Sequence, residues 1–173
     1  MNETMRVLME RRSVKSYLDT PVPSEVLAEI AAAGSYAPCG MGKQSPIIVV
    51  VEDPAMVKKL SAMNAAVMGS SGDPFYGAPA VMVVLADRSC PTAVEDGSLV
   101  MGNLMNAAYA LGVDSCWIHR ARQEFDSEEG KALLRSWGIT GDYVGIGHCI
   151  LGYRKDEPKP RASRKPDYIH YVR

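Results

Sequence analysis

Residues 80–86 are A-V-M-V-V-L-A, an unbroken apolar run with three valines. Such a run predicts a β-strand buried on both faces, because a strand with one wet face would alternate apolar and polar residues. Residues 47–51, I-I-V-V-V, predict a second strand of the same kind. A further strand is expected over residues 143–153, which include three glycines, and a short one over residues 115–118. The chain is therefore built around a sheet.

Helices are predicted around these strands, because apolar residues recur there at helical spacing. Three of the expected helices cover residues 1–12, 24–37 and 95–111. Another starts at Asp53-Pro54. The last helix in the chain opens with a capping box of Asp126 and Glu129 and ends at 137–138. Helices mixed with buried strands favour an α+β or α/β layered structure in one domain, residues 1–173.

The predicted helix over residues 95–111 is apolar nearly all round. A helix without a polar face is buried, either at the centre of a domain or between subunits. Both alternatives are open at this point. A chain of this length with so much apolar surface favours a tight homodimer.

Composition narrows the possible functions. Hydrophobic residues make up 47% of the 173, and 19 basic residues face 20 acidic ones, for a formal charge of -1. A neutral surface of this kind matches neither nucleic acid nor a membrane surface. The N-terminus lacks an apolar segment of signal-peptide length, so a cytoplasmic location is expected. The four cysteines and three histidines show no metal-ligand spacing, so neither a disulfide framework nor a metal site is expected.

The segment Arg11-Arg12-Ser13-Val14-Lys15 is the strongest local signal. Three cations and a hydroxyl at a helix end can neutralise and hydrogen-bond a phosphate group. A solvated basic helix end is the alternative. The tail adds a second set of cations, which a disordered terminus would also explain: Lys159, Arg161, Arg164 and Lys165. Tyr168, Ile169 and Tyr171 near the end favour docking of this tail.

The loop over residues 38–46, P-C-G-M-G-K-Q-S-P, is rich in glycine. It lacks the first glycine of a phosphate-binding P-loop, and the third glycine of a dinucleotide-binding loop is replaced by Ser45. A loop of small residues with one amide, Gln44, could still approach a flat ring, although a plain connecting loop is equally compatible. His119-Arg120 follows the short strand and could lie near an electron-rich cofactor or be exposed.

Taken in order, these segments resemble the FMN-dependent nitroreductase family over nearly the whole chain. The resemblance is carried by R-R-S-V-K-S-Y at 11–17, A-P-C-G-M-G-K-Q-S-P at 37–46, G-A-P-A-V-M-V-V-L-A-D at 77–87, L-G-V-D-S-C-W-I at 111–118, and G-Y followed by R-K-P within 152–166. None of the segments is decisive alone, but five in the same order are specific.

The resemblance implies an α+β fold with a central mixed sheet flanked by helices, and an intertwined homodimer with FMN at the interface. It implies hydride transfer from NADH or NADPH in a ping-pong reaction to flat, electron-poor small-molecule acceptors such as nitroaromatics or quinones. The flavin would carry the chemistry, so no catalytic side chain is expected. For the phosphate and ribityl end, the resemblance implies binding by Arg11, Arg12, Ser13 and Lys15, with Arg161 and Arg164 from the tail. It places Gln44 at the ribityl or ring edge, and Ile118, His119 and Arg120 near flavin N5 and O4. From the other subunit, Pro38, Cys39 and Gly40 would pack against the ring.

Several positions depart from the family pattern. Lys15 replaces a commoner arginine, Cys39 replaces a usual serine, and Gly42 stands where asparagine is frequent. The segment H-R-A-R-Q-E-F at 119–125 is longer and more basic than the usual glycine-phenylalanine turn. Two other classes fit the same sequence: a relative with different flavin chemistry (flavin fragmentation, dehalogenation or dehydrogenation), and a flavin-binding protein without catalysis.

Overall fold

A computed structural model of the chain describes residues 1–158 and 160–173. Lys159, one of the tail cations, lies outside the described residues. The helices are α1 (Glu3–Glu10), α2 (Ser24–Ser35), α3 (Pro54–Met68), α4 (Ala93–Ala110), α5 (Ala121–Asp126) and α6 (Glu128–Ser136), with a short 3-10 turn at Gly40–Gly42. The strands are β1 (Pro46–Val51), β2 (Ala80–Asp87), β3 (Asp114–Ile118) and β4 (Tyr143–Gly152).

The four strands form one sheet in the order β1-β2-β4-β3. Each neighbouring pair is antiparallel. The α+β class is therefore confirmed, whereas the expected mixed sheet is not seen within these strands: the parallel pairing among the described residues is an isolated bridge between Ser13 and Ser115. β2 and β4 lie at the centre and are buried along almost their whole length.

Strand β1 differs from the prediction. Residues 46–49 are half-buried, residue 50 is exposed, and Val51 alone is fully buried. The reason is position, since β1 is an edge strand with β2 as its one neighbour. Its run of β-branched residues correctly predicted a strand but not its place in the sheet.

Two apolar clusters lie on opposite faces of the sheet. One packs β2 residues Met82 and Val84 against α2 and α4. The other packs Val81 and Val83 against α3, α5 and α6. Alternate residues of one strand thus serve both clusters, which explains the unbroken apolar sequence of β2. Each fully buried aliphatic side chain contributes about 1.5–3 kcal/mol to folding.

Helix α4 is buried in part. Met101, Leu104 and Ala108 are fully buried, as predicted. Val94 and Leu99, however, are 48% and 47% exposed in the single chain. These two apolar side chains are thus left on the surface of the single chain, where Glu95 is also exposed.

Helix boundaries bring two corrections. The fifth predicted helix is two helices, α5 and α6, and the cap of α6 is Ser127 rather than Asp126, because the Ser127 side chain accepts from the Gly130 N–H. Helix α3 begins as predicted, with Asp53 capping and Pro54 in the first turn. Among the described residues, no helix has the length and apolar character needed to cross a membrane.

Candidate functional site

The basic segment lies along the outer edge of β3. Val14 N–H donates to the Ser115 carbonyl at 3.1 Å, and Leu18 N–H donates to the Tyr153 carbonyl at 2.9 Å. Helix α1 ends at Glu10, and the backbone N–H of the capping residue Arg11 donates to the Val7 carbonyl. The residues after α1 are therefore fixed in an extended conformation by the sheet, and Arg11 is held at the start of that stretch.

Two polar atoms in this region are buried without a hydrogen-bond partner among the described residues: Arg11 Nη1 and Ser115 Oγ. Leaving such a donor unsatisfied costs about 1–3 kcal/mol, and more for a charged group. Both atoms can donate to an anion. The arrangement therefore fits an anionic group such as a phosphate. Ser115 was not among the predicted site residues, because a serine in a short apolar strand carries no distinguishing signal.

Two of the predicted cations of this segment, Arg11 and Lys15, lie near Cys116 of β3. Burial raises the pKa of the Cys116 thiol, and the Ser13 hydroxyl and the charges of Lys15 and Arg11 oppose that shift. Three of the four predicted residues thus act on one point of β3. Arg12 is half-buried beside them, while Ser13 and Lys15 are exposed.

Lys15 also reaches the turn at residues 73–77. Its ammonium lies 5.8 Å from the centroid of the Tyr76 ring. Tyr76 has a φ of 54°, a left-handed conformation that is uncommon for a bulky residue. The Asp73 carboxylate holds this turn by accepting from Phe75 N–H at 2.9 Å and Gly77 N–H at 2.7 Å.

The loop at residues 38–45 is anchored to α4 by one buried carboxylate. Asp96 accepts from Gly40 N–H at 2.9 Å, and from the Ser45 and Thr92 hydroxyls at 3.0 Å each. The Gly40 hydrogen bond, followed by the hydroxyls, holds the pKa of Asp96 below its usual value against the effect of burial. Asp96 was not among the predicted site residues, because with Glu95 beside it in the first turn of α4 it resembles an ordinary acidic helix start.

Pro38, Cys39 and Gln44 line a cavity of about 510 Å³ between α2 and β1. Its volume is within the range of ligand sites in proteins. A larger hollow of about 730 Å³ lies between α3 and the 70–79 segment, but it contains none of the predicted site residues. Three carboxylates line that hollow against one lysine, which would repel a phosphate: Asp19, Glu52 and Asp73, with Lys58.

The third predicted group is the turn after β3. Ile118 is buried, His119 is exposed, and Arg120 is half-buried with a φ of 76° at the start of α5. Arg120 Nε donates to Asn64 Oδ1 at 3.0 Å, and Asn64 Nδ2 donates to the His119 carbonyl at 2.7 Å. Asn64 lies in α3 and was missed because its partners are distant in the sequence.

Behind Asn64 lies a buried acid–base pair. Asn64 Nδ2 also donates to Glu124, and Glu124 Oε2 lies 3.0 Å from His148 Nε2, although these two atoms are not aligned for a hydrogen bond. Burial raises the pKa of Glu124 to about 8 and lowers the pKa of His148 to about 3. Burial thus favours the neutral form of both side chains.

The three groups do not all meet within one chain. The basic segment and the 118–120 turn share β3, whereas the 38–45 loop leads into β1 at the opposite edge of the sheet. Three strand spacings separate these edges, about 14 Å. Arg161 and Arg164 lie in residues 160–173, all of which are exposed. Among the described residues, no cluster of His, Cys, Asp and Glu could hold a metal ion.

The fold and this site define an α+β domain with a basic segment, two buried donors without partners, and two turns that contain residues with positive φ. The model of the Nitroreductase family matches residues 8–153, and the chain belongs to that family.

Relatives agree with this assignment. A protein of Archaeoglobus fulgidus, provisionally named NADH dehydrogenase/NAD(P)H nitroreductase, is 32% identical, with 98% of each chain covered. The FMN reductase [NAD(P)H] of Bacillus subtilis is 33% identical over 96% of this chain and 70% of its own. Among solved structures, a nitroreductase with bound FMN from Bacteroides fragilis matches with a TM-score of 0.91, at 26% identity and with 100% of each chain covered.

The Asp96 anchor gives a test of the loop. Asp96→Ala leaves the Gly40 and Ser45 donors unpaired, so we expect the free energy of unfolding to fall by about 1.5–3 kcal/mol at pH 7, measured by urea denaturation. Because the folded-state pKa of Asp96 is lowered, the difference is present above the unfolded pKa of about 4 and disappears as the pH falls through the lower folded value. Glu95→Ala, its exposed neighbour, is the control. An equal loss of stability in both variants would contradict the role of Asp96 as the anchor of the loop.

The Glu124 pair gives a pH test. A folded-state pKa raised to about 8 means that the folded protein holds a proton that the unfolded chain has lost above about pH 4.5. Stability should therefore fall between about pH 5 and 8 by up to about 1.4 kcal/mol per pH unit from this group. Glu124→Gln removes that contribution, so its stability relative to the parent should improve as the pH rises. Parallel pH profiles for the two proteins would show that Glu124 is ionised when folded.

Proposed function

We propose that this chain is an FMN-dependent oxidoreductase that takes hydride from NADH or NADPH and reduces flat, electron-poor acceptors such as nitroaromatics or quinones by a ping-pong route in the cytoplasm. The observation that carries the proposal is that Arg11 Nη1 and Ser115 Oγ are both buried without a hydrogen-bond partner. They lie in two segments that the backbone hydrogen bond from Val14 to Ser115 joins. The relatives support it, because two of them are named for FMN or for NAD(P)H-dependent reduction.

FMN rather than FAD is proposed because the donors suit one terminal phosphate. The phosphate end would be held by Arg11, Arg12, Ser13 and Lys15, with Ser115 as an added donor and with Arg161 and Arg164 from the tail. No dinucleotide-binding glycine pattern is present in the sequence. When bound, FMN supplies an acceptor and donor of hydride, which no amino-acid side chain provides.

The ring end is assigned to the two turns. Gln44 would meet the ribityl or ring edge, and the backbone N–H groups of Ile118, His119 and Arg120 would face the side of the ring where negative charge develops on reduction. Donors fixed in place before reaction stabilise that charge without reorganisation.

Pro38, Cys39 and Gly40 are proposed to contact the ring from a second protomer. The separation of β1 from β3, about 14 Å, supports this, because one chain places the loop and the turn at opposite edges of the sheet. The exposed Val94 and Leu99 of α4 supply an apolar surface for the same contact. The proposed active unit is therefore a homodimer.

The dimer can be tested through α4. Sedimentation equilibrium of the parent should give about twice the chain mass of 18.8 kDa. Leu99→Glu places a charge on the proposed interface and should shift the protein toward monomer, since an unpaired buried charge is strongly unfavourable. Val67→Glu, an exposed apolar position of α3 on the opposite face, is the control. A monomeric parent that carries flavin would overturn the dimer.

The phosphate assignment can be tested with Arg11→Ala and Arg164→Ala. Charge-assisted hydrogen bonds contribute about 1.5–3 kcal/mol each, so each substitution should weaken FMN binding by about 10- to 150-fold. Riboflavin, which lacks the phosphate, should bind each variant as it binds the parent. The double variant should depart from additivity, because both residues act on one group.

The measurement is a titration of apoprotein with FMN and with riboflavin, followed by flavin fluorescence. Arg135→Ala, an exposed cation on α6, is the control. If riboflavin affinity falls as far as FMN affinity, the substitutions act through folding and the phosphate assignment is wrong.

A further inference from the structure

The Asn64 side chain is a buried amide that joins three elements. It is fully buried in α3. Its Nδ2 donates to the His119 carbonyl at 2.7 Å and to the Glu124 carboxyl group, and its Oδ1 accepts from Arg120 Nε at 3.0 Å. Two of these partners belong to the turn after β3, and the third belongs to α5.

The hydrogen bonds fix the direction of the amide. Reversing it would place the amide nitrogen against the Arg120 donor and the amide oxygen against two other oxygens. One orientation of Asn64 is therefore strongly preferred, and it holds the His119 carbonyl and the Arg120 guanidinium at the same time.

The hydrogen bonds of Asn64 hold Arg120, a residue with a strained backbone conformation. Arg120 has a φ of 76°, and a non-glycine residue in this region costs about 1–3 kcal/mol that the surrounding structure must offset. The conformation of Arg120 sets the direction of the neighbouring peptide groups. Without Asn64, the turn could relax to a conformation with negative φ, and its N–H groups would point elsewhere.

Glu124 and His148 support the amide from behind. His148, on the central strand β4, is fully buried between the rings of Phe75 and Phe125, with centroid distances of 5.2 and 6.0 Å. It lies 3.0 Å from Glu124, which in turn accepts from Asn64. The row of side chains from His148 through Glu124 to Asn64 thus connects the central, buried strand β4 to the turn.

We propose that Asn64 is a positioning residue for the flavin ring: it holds His119 and Arg120 in the conformation that presents their backbone to the ring, and Glu124 and His148 keep its amide in place. The inference rests on the proposed function, since it assigns a cause to the shape of one part of that site. Asn64 itself need not touch the flavin.

The test uses Asn64→Leu, which keeps the size of the side chain and removes its hydrogen bonds. Affinities of apoprotein for FMN and riboflavin should both fall by at least about 10-fold, with their ratio unchanged, because the loss is at the ring end. The visible spectrum of bound flavin should also shift. Val57→Ala, a buried position seven residues earlier in the same helix, controls for lost stability.

Two further pairs of variants distinguish a positioning role of Asn64 from a general loss of stability. Glu124→Gln keeps an acceptor for Asn64 and should retain flavin affinity, whereas Glu124→Leu should not. Arg120→Gly and Arg120→Val both remove the guanidinium, but glycine adopts the left-handed conformation freely and valine does not. The valine variant should bind riboflavin about 10-fold more weakly than the glycine variant.

Each result decides the proposal. Loss of affinity in Asn64→Leu no greater than in Val57→Ala, or loss for FMN alone, would overturn it. If Asn64→Leu does not fold, the two Arg120 variants decide, and equal affinities for them would overturn it. A parent that binds neither flavin would instead overturn the proposed function on which the inference rests.

Discussion

The antiparallel pairing of β2 with β4 is the interaction on which the rest of this structure depends. Both strands are buried on both faces, so they can exist only with helices packed on each side. The edge strands β1 and β3 then carry the irregular segments at opposite borders of the sheet. The layout of the proposed site follows from this constraint: the basic segment at 11–15 and one turn lie beside β3, and the 38–45 loop lies beside β1.

The strained residues of the chain coincide with these segments. Among the described residues, four non-glycine positions have positive φ: Met41, Gln44, Tyr76 and Arg120. Each lies in a turn that is held by hydrogen bonds to a side-chain carboxylate or amide. The side chain is Asp96 for the 38–45 loop, Asp73 for the 73–77 turn, and Asn64 for the 118–120 turn. Strained residues that hydrogen bonds hold in place are typical of binding sites whose shape is set before the ligand arrives.

Much of this architecture could be predicted from the sequence, because it rests on local patterns. The apolar run of β2, the helical spacing in α2 and α4, and the cations at 11–15 are each visible within a short window. Asp96 and Asn64 could not be found in that way, since their partners lie 56 and 55 residues away. The edge position of β1 depends on strand order, and the Ser127 cap depends on a choice between adjacent residues, neither of which periodicity determines.

The most direct test of the account is a crystal structure of the protein grown with FMN. The account predicts that the phosphate lies within hydrogen-bond distance of Arg11 Nη1 and Ser115 Oγ, and that the ring lies between the 118–120 turn of one protomer and the 38–40 loop of its partner. A flavin held within the 38–48 cavity of a single protomer, with Arg11 Nη1 still unpaired, would contradict it.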